Sequence, residues 1–183
     1  MPATPPMAMN ENNPAPKRRV WHSFADAFRG IGACIKSERN MRIHVVMCIY
    51  VLFFASQLSL SRAEMACLLL AIGGVMSMET LNTALEKLCD FNQKNRNRYI
   101  GLVKDLAAGA VLLSALAALL VGVVVLFRPE LWQLLWDMLA HPWKVVLLVV
   151  SLMVAAGFIF LGPAWLEERL DGWKRNKEKD LRE

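Results

Sequence analysis

The sequence predicts an all-α integral membrane protein, with an N-terminal amphipathic surface helix, a core of three spanning helices and a fourth transmembrane helix after it. Three observations carry that expectation. Of the 183 residues, 56% are hydrophobic and the mean hydropathy is +0.35, a composition outside the range of ordinary soluble domains. Four apolar runs approach the length of about 20 residues that crosses a hydrocarbon core of about 30 Å. The basic residues that separate those runs fall almost entirely into alternate connectors, as the positive-inside rule requires of a multi-pass protein.

Taken in order, residues 1–20 are rich in Pro, Ala, Met and Asn, lack an apolar signal-peptide core and end in Lys17, Arg18 and Arg19. They read as a disordered, basic-ended tail rather than a cleavable leader. From position 21, Phe24, Ala27, Phe28, Ile31 and Ile35 recur at helical spacing among His22, Asp26, Arg29 and Lys36. That pattern predicts a helix lying in the membrane surface. A charged hinge at 37–42 leads into an uncharged first span over 43–61, and a short connector holding Arg62 and Glu64 leads into a second span from 65. Gly73 and Gly74 in that span allow close helix approach. An aqueous connector over 91–103 precedes a third span over 106–127, whose first half carries the small residues Ala107, Ala108, Gly109 and Ala110. Residues 128–144 read as an interfacial connector with Trp132 and Trp136 one turn apart, 145–163 as the additional span and 164–183 as a charged tail.

Counting Lys and Arg by compartment places eighteen on one side and three on the other. Both ends are therefore expected in the cytoplasm, with the protein in the inner membrane. The charge of +5 is accounted for by topology, and no aromatic and basic ladder suggests nucleic acid. Cys34, Cys48, Cys67 and Cys89 lack disulfide or metal spacing, and His22, His44 and His141 are isolated.

The second span ends unlike a lipid-facing helix. Over 78–90 it keeps its helical pattern, yet it places Glu79, Asn82, Glu86 and Asp90 on one face. Glu79 follows Glu64 by 15 residues, about 22 Å of rise, which sets it at the inner edge of the hydrocarbon. A carboxylate at that depth is a functional hypothesis. Glu38, Lys104 and Asp105 reach the same depth from other spans. Glu38 and Glu86 could hold a hard divalent cation such as magnesium with phosphate oxygens and water, and Lys104 could neutralise phosphate. Glu79 could accept a proton from a substrate hydroxyl, and Asn82 could orient it. These parts suit phosphoryl transfer to a lipid alcohol, while no Walker A motif or kinase glycine loop occurs. On the residues alone an enzyme, a proton-linked transporter using Glu79 and a non-enzymatic assembly scaffold all stay open.

At these positions the chain resembles the small prokaryotic membrane diacylglycerol kinase and undecaprenol kinase family. The likeness covers about 21–127, through Ala-Phe-Arg-Gly at 27–30, Ser-Glu-Arg-Asn-Met-Arg-Ile-His at 37–44, the run at 78–86 with Asp90, and Lys-Asp-Leu-Ala-Ala-Gly-Ala-Val-Leu at 104–112. It implies a homotrimer with active sites between subunits, using magnesium and ATP to phosphorylate a membrane lipid alcohol. It further implies that Glu79 is the general base and that Glu38 and Glu86 associate with metal and nucleotide. Lys104, Asp105 and Asp90 become nucleotide contacts, Asn82 a supporting group, and Arg29 and Ala108 substrate neighbours alongside Glu79. The runs at 37–44 and 104–110 look more like the undecaprenol kinase branch. The chain departs from the pattern at Asn97-Arg98-Tyr99 and in everything after Phe127.

Overall fold

A computed structural model describes residues 20–92 and 98–180, with side chains over 20–91 and 98–162. The tail before residue 20, the middle of the connector at 93–97 and the side chains of the charged C-terminal stretch lie outside the described residues. Among the described residues there are six helices and no strand: α1 (Val20–Ser37), α2 (Arg39–Gln57), α3 (Arg62–Asn92), α4 (Arg98–Leu126), α5 (Pro129–Ala140) and α6 (Pro142–Asp180). Four of these, α2, α3, α4 and the part of α6 up to Gly162, are long and apolar enough to cross a membrane. The chain is a multi-pass, all-α membrane protein.

Each boundary has a local cause. On α1, Val20, Trp21, Phe24, Phe28 and Ile31 are exposed, an uncovered apolar face of the kind that lies in a bilayer interface. Glu38 breaks the chain between α1 and α2 in an extended conformation (φ −107°, ψ 123°), so α2 starts four residues before the uncharged stretch. A reciprocal cap starts α3. Ser61 Oγ accepts from the Glu64 N–H at 3.2 Å, while Glu64 Oε2 accepts from the Ser61 N–H at 2.7 Å, which satisfies two orphan donors at once. Pro129 and Pro142 open α5 and α6, where a missing N–H costs nothing.

The connector expected over 91–103 is shorter than its polarity suggested, because α3 runs through Asn92 and α4 begins at Arg98. Tyr99, Leu102 and Val103 extend the apolar helical pattern outward. Likewise, 129–140 is a full helix, and helical backbone continues past the fourth span to Asp180.

The antiparallel pair α3 and α4 is the main packing unit, and α2 lies against α3 on one side and α6 on the other. Ion pairs set the α3–α4 register at both ends. Lys104 Nζ meets Asp90 Oδ1 at 2.5 Å at one end, and Arg128 Nη2 meets Glu64 Oε1 at 2.5 Å at the other. Between them a side chain at Gly74 would touch Ser114 Oγ at 3.7 Å, the close approach that small residues permit in lipid. Ala55, Leu68 and Val125 form a buried cluster toward the Glu64 end.

Candidate active site

The long helix α3 carries the polar stripe out of the spanning region in graded exposure. Glu79 is 2% exposed, Asn82 and Thr83 are buried, Glu86 is half-buried and Asp90 is exposed. The C-terminal half of α1 lies against this part of α3. The Cys34 thiol sits 3.2 Å from Thr83 Oγ1, which itself donates to the Glu79 carbonyl at 3.0 Å. With that hydroxyl proton committed, the thiol is the donor. One turn further on, Lys87 Nζ donates to Ser37 Oγ at 3.1 Å.

Two buried oxygens at this place lack a protein partner among the described residues, Glu79 Oε2 and Asn82 Oδ1. Buried acceptors are nearly always satisfied, so a pair left open at one spot is unusual. Asn82 spends its amide on Glu86, donating Nδ2–H to Oε1 at 3.1 Å, which holds Glu86 toward Glu79. Glu38 and Glu86 are the two carboxylates close enough to act electrostatically on Glu79. Glu38 occupies the N-cap position of α2 without making a capping bond, so its side chain is not consumed by the helix end. Lys104 lies within the field of Glu86 as well as pairing with Asp90. The structure thus draws Glu79, Asn82, Glu86, Glu38, Lys104 and Asp90 into one region built from α2, α3 and α4.

The remaining expected site residues are not tied to it by a contact among the described residues. Asp105 and Ala108 are exposed on α4, and Arg29 is spent on Asp26 at 2.9 Å along α1. Two neighbours of the stripe are not legible as such in the sequence: Cys34, one of four cysteines without disulfide or metal spacing, and Thr83.

As a place for a divalent cation, the donor set is sparse but suitable. Among the described residues no three His, Cys, Asp or Glu side chains cluster as a ready metal site. Magnesium binds through one or two carboxylates plus phosphates and water, and Glu38 and Glu86 supply that number of carboxylates.

Comparison with known proteins identifies the family. The profile of the family described as prokaryotic diacylglycerol kinase matches residues 25–126. The chain belongs to this family. It is a lipid kinase, with ATP implied as phosphoryl donor. It is 38% identical over 130 residues to a diacylglycerol kinase of Synechocystis sp., covering 70% of this chain and 73% of that one. It is 35% identical over 113 residues to an undecaprenol kinase of Bacillus subtilis, covering 62% of this chain and 91% of the relative. No solved structure matches. All the clustered residues of this family member fall inside the matched segment, whereas α5 and α6 fall outside it.

Proposed function

We propose that this family member uses ATP and magnesium to phosphorylate a membrane lipid alcohol, undecaprenol ahead of diacylglycerol, at the cluster around Glu79. The observation that carries the reading is the buried Glu79 carboxylate, whose Oε2 has no protein partner among the described residues and which feels the charges of the Glu38 and Glu86 carboxylates. A buried acceptor kept free beside two carboxylates suits a base whose partner is a substrate hydroxyl.

An open apolar groove of about 490 Å³ between α2, α3 and α4 runs past Ile43, Val75 and Met76, ending one turn before Glu79. It offers a path by which a lipid tail lies in the membrane while its alcohol meets Glu79. Glu79 Oε2 accepts the hydroxyl proton as the alcohol oxygen bonds to the γ-phosphorus and the bond to ADP breaks. Asn82 holds Glu86 in place through its amide, and Lys104 and Asp90 stand at the water-exposed end, where nucleotide would enter. Glu38 and Glu86 would hold magnesium, which neutralises phosphate charge when bound.

Asp105 and Ala108, exposed on α4, would complete the site of a neighbouring copy in a homotrimer. The reading also places the clustered end at the cytoplasmic face of the inner membrane, on the strength of the Lys and Arg asymmetry. The test is transfer of labelled phosphate from ATP to defined lipid alcohols by the purified protein, with and without magnesium. Cysteine accessibility from each side tests the orientation, and an external C-terminus would refute it.

A further inference from the structure

The fourth span lies outside the family match, yet it meets Arg42, which stands one turn after Glu38. Arg42 is only 8% exposed, and among the described residues no carboxylate pairs with it. Its guanidinium donates instead to three carbonyls: Nη1–H to Ile35 O at 3.2 Å and Lys36 O at 3.1 Å, and Nε–H to Ile159 O at 3.0 Å. The first two are end-of-helix carbonyls of α1, which have no partner within their own helix. The third is orphaned by sequence. The residue four places after Ile159 is Pro163, which has no N–H to give. Gly162, just before it, leaves the helix at φ +68° and ψ 164°. A Cβ added at Gly162 would lie 3.2 Å from Arg42 Cζ and 3.3 Å from Nη1.

The residue held by this arrangement is Glu38. It forms the extended link between α1 and α2, and its carbonyl accepts the Arg42 N–H at 3.4 Å. Arg42 grips the α1 end two and three residues before Glu38 and anchors it to α6. We infer that α6 is a built-in positioning element of the kinase site, acting through Arg42 to fix the place of Glu38. A guanidinium suits this role because its planar fork serves several acceptors at once, which a lysine ammonium on a flexible stem does not.

The inference rests on the proposed role of Glu38 toward the metal, and the experiment separates the two. Full-length Glu38→Gln, Arg42→Gln, the corresponding double variant and Gly162→Ala are compared with wild type in bilayers. Gly157→Ala is the control, since a Cβ there meets nothing within 4 Å. The readouts are kcat/KM against magnesium concentration and, separately from turnover, manganese binding by electron paramagnetic resonance with a non-hydrolysable ATP analogue.

Arg42→Gln and Gly162→Ala should each lower kcat/KM about 10- to 100-fold, the cost of misplacing a group by about 1 Å. Both should weaken manganese binding, and the control should do neither. In the Glu38→Gln background, Arg42→Gln should add little, because residues acting through one another are not additive. Additive losses, or wild-type manganese binding in both Arg42→Gln and Gly162→Ala, would overturn the inference while leaving the site assignment intact. A Glu38→Gln protein with normal activity and metal binding would overturn both. Should Arg42→Gln fail to fold, Gly162→Ala against its control decides the matter by the same two readouts.

Discussion

Replacing Glu79 with Gln changes the proposed base while keeping its shape. The side chain is 2% exposed and Oε2 has no protein partner among the described residues, so an amide N–H placed there costs about 1–3 kcal/mol unless it reaches an acceptor such as Asn82 Oδ1. Against that stands relief of a carboxylate set beside Glu38 and Glu86. The two effects oppose each other, and a net change of about 1 kcal/mol would move the melting temperature by only about 2–4 °C. The chemical effect is larger. Loss of a positioned general base lowers the rate about 10²- to 10⁴-fold, or about 2.7–5.4 kcal/mol of barrier at 1.36 kcal/mol per tenfold. Transfer of labelled phosphate to a saturating lipid alcohol measures kcat directly, with a thermal melt run on the same sample. Activity within about threefold of wild type, in a protein that melts normally, would refute the assignment of Glu79.

Other expectations follow from neighbouring contacts. Glu86→Gln should shift magnesium activation to higher concentration as well as lower turnover, and an unchanged magnesium curve would remove it from the metal site. Asn82→Leu, which breaks the 3.1 Å bond to Glu86, should resemble a mild Glu86 variant, with turnover down about tenfold for about 1.4 kcal/mol of lost orientation; a wild-type magnesium profile would contradict it. Asp90→Asn, which releases Lys104, should raise the KM for ATP and leave the KM for lipid alone; equal effects on both would place the pair elsewhere. Lys144 pairs with Asp137 and holds its carboxyl below the ordinary range. A lowered folded-state value means that this link between α5 and α6 contributes above the ordinary carboxylate pKa and is lost as pH falls through the lowered one. Asp137→Asn should therefore flatten the acid limb of a melting curve, and an unchanged limb would show that the pair does not contribute.

The long helices were legible because lipid imposes a simple rule, an apolar run of sufficient length, and α2, α3, α4 and α6 obey it. The stripe on α3 was legible because acids gathered on one face of an apolar helix carry a desolvation cost that a lipid-facing surface avoids. Helix ends were read less well. The stretch 98–103 reads as part of an aqueous connector and the charged residues beyond 163 as a tail, yet helical backbone begins at Arg98 and continues to Asp180, since polarity marks where the membrane ends and not where hydrogen bonding ends. The packing of α1 against α3 at Thr83 and Lys87 was not foreseeable, because a surface helix can cover any part of the bundle. The same holds for Arg42, whose partners are backbone carbonyls 6, 7 and 117 residues away. A charge count registers such a residue without revealing what it holds. Pro163 stands in the sequence four places after Ile159, but the acceptor it strands there matters only once α2 lies alongside.

The cluster of Glu79, Glu38 and Glu86 has meaning as a kinase site only if a lipid alcohol gains phosphate there. The direct measurement presents purified protein in bilayers with γ-labelled ATP, magnesium and separate samples of undecaprenol and diacylglycerol, and separates the labelled lipids. The expected result is magnesium-dependent label in undecaprenyl phosphate exceeding that in phosphatidic acid, abolished in the Glu79→Gln protein. Label that persists undiminished in that variant, or that appears equally without magnesium, would contradict the account.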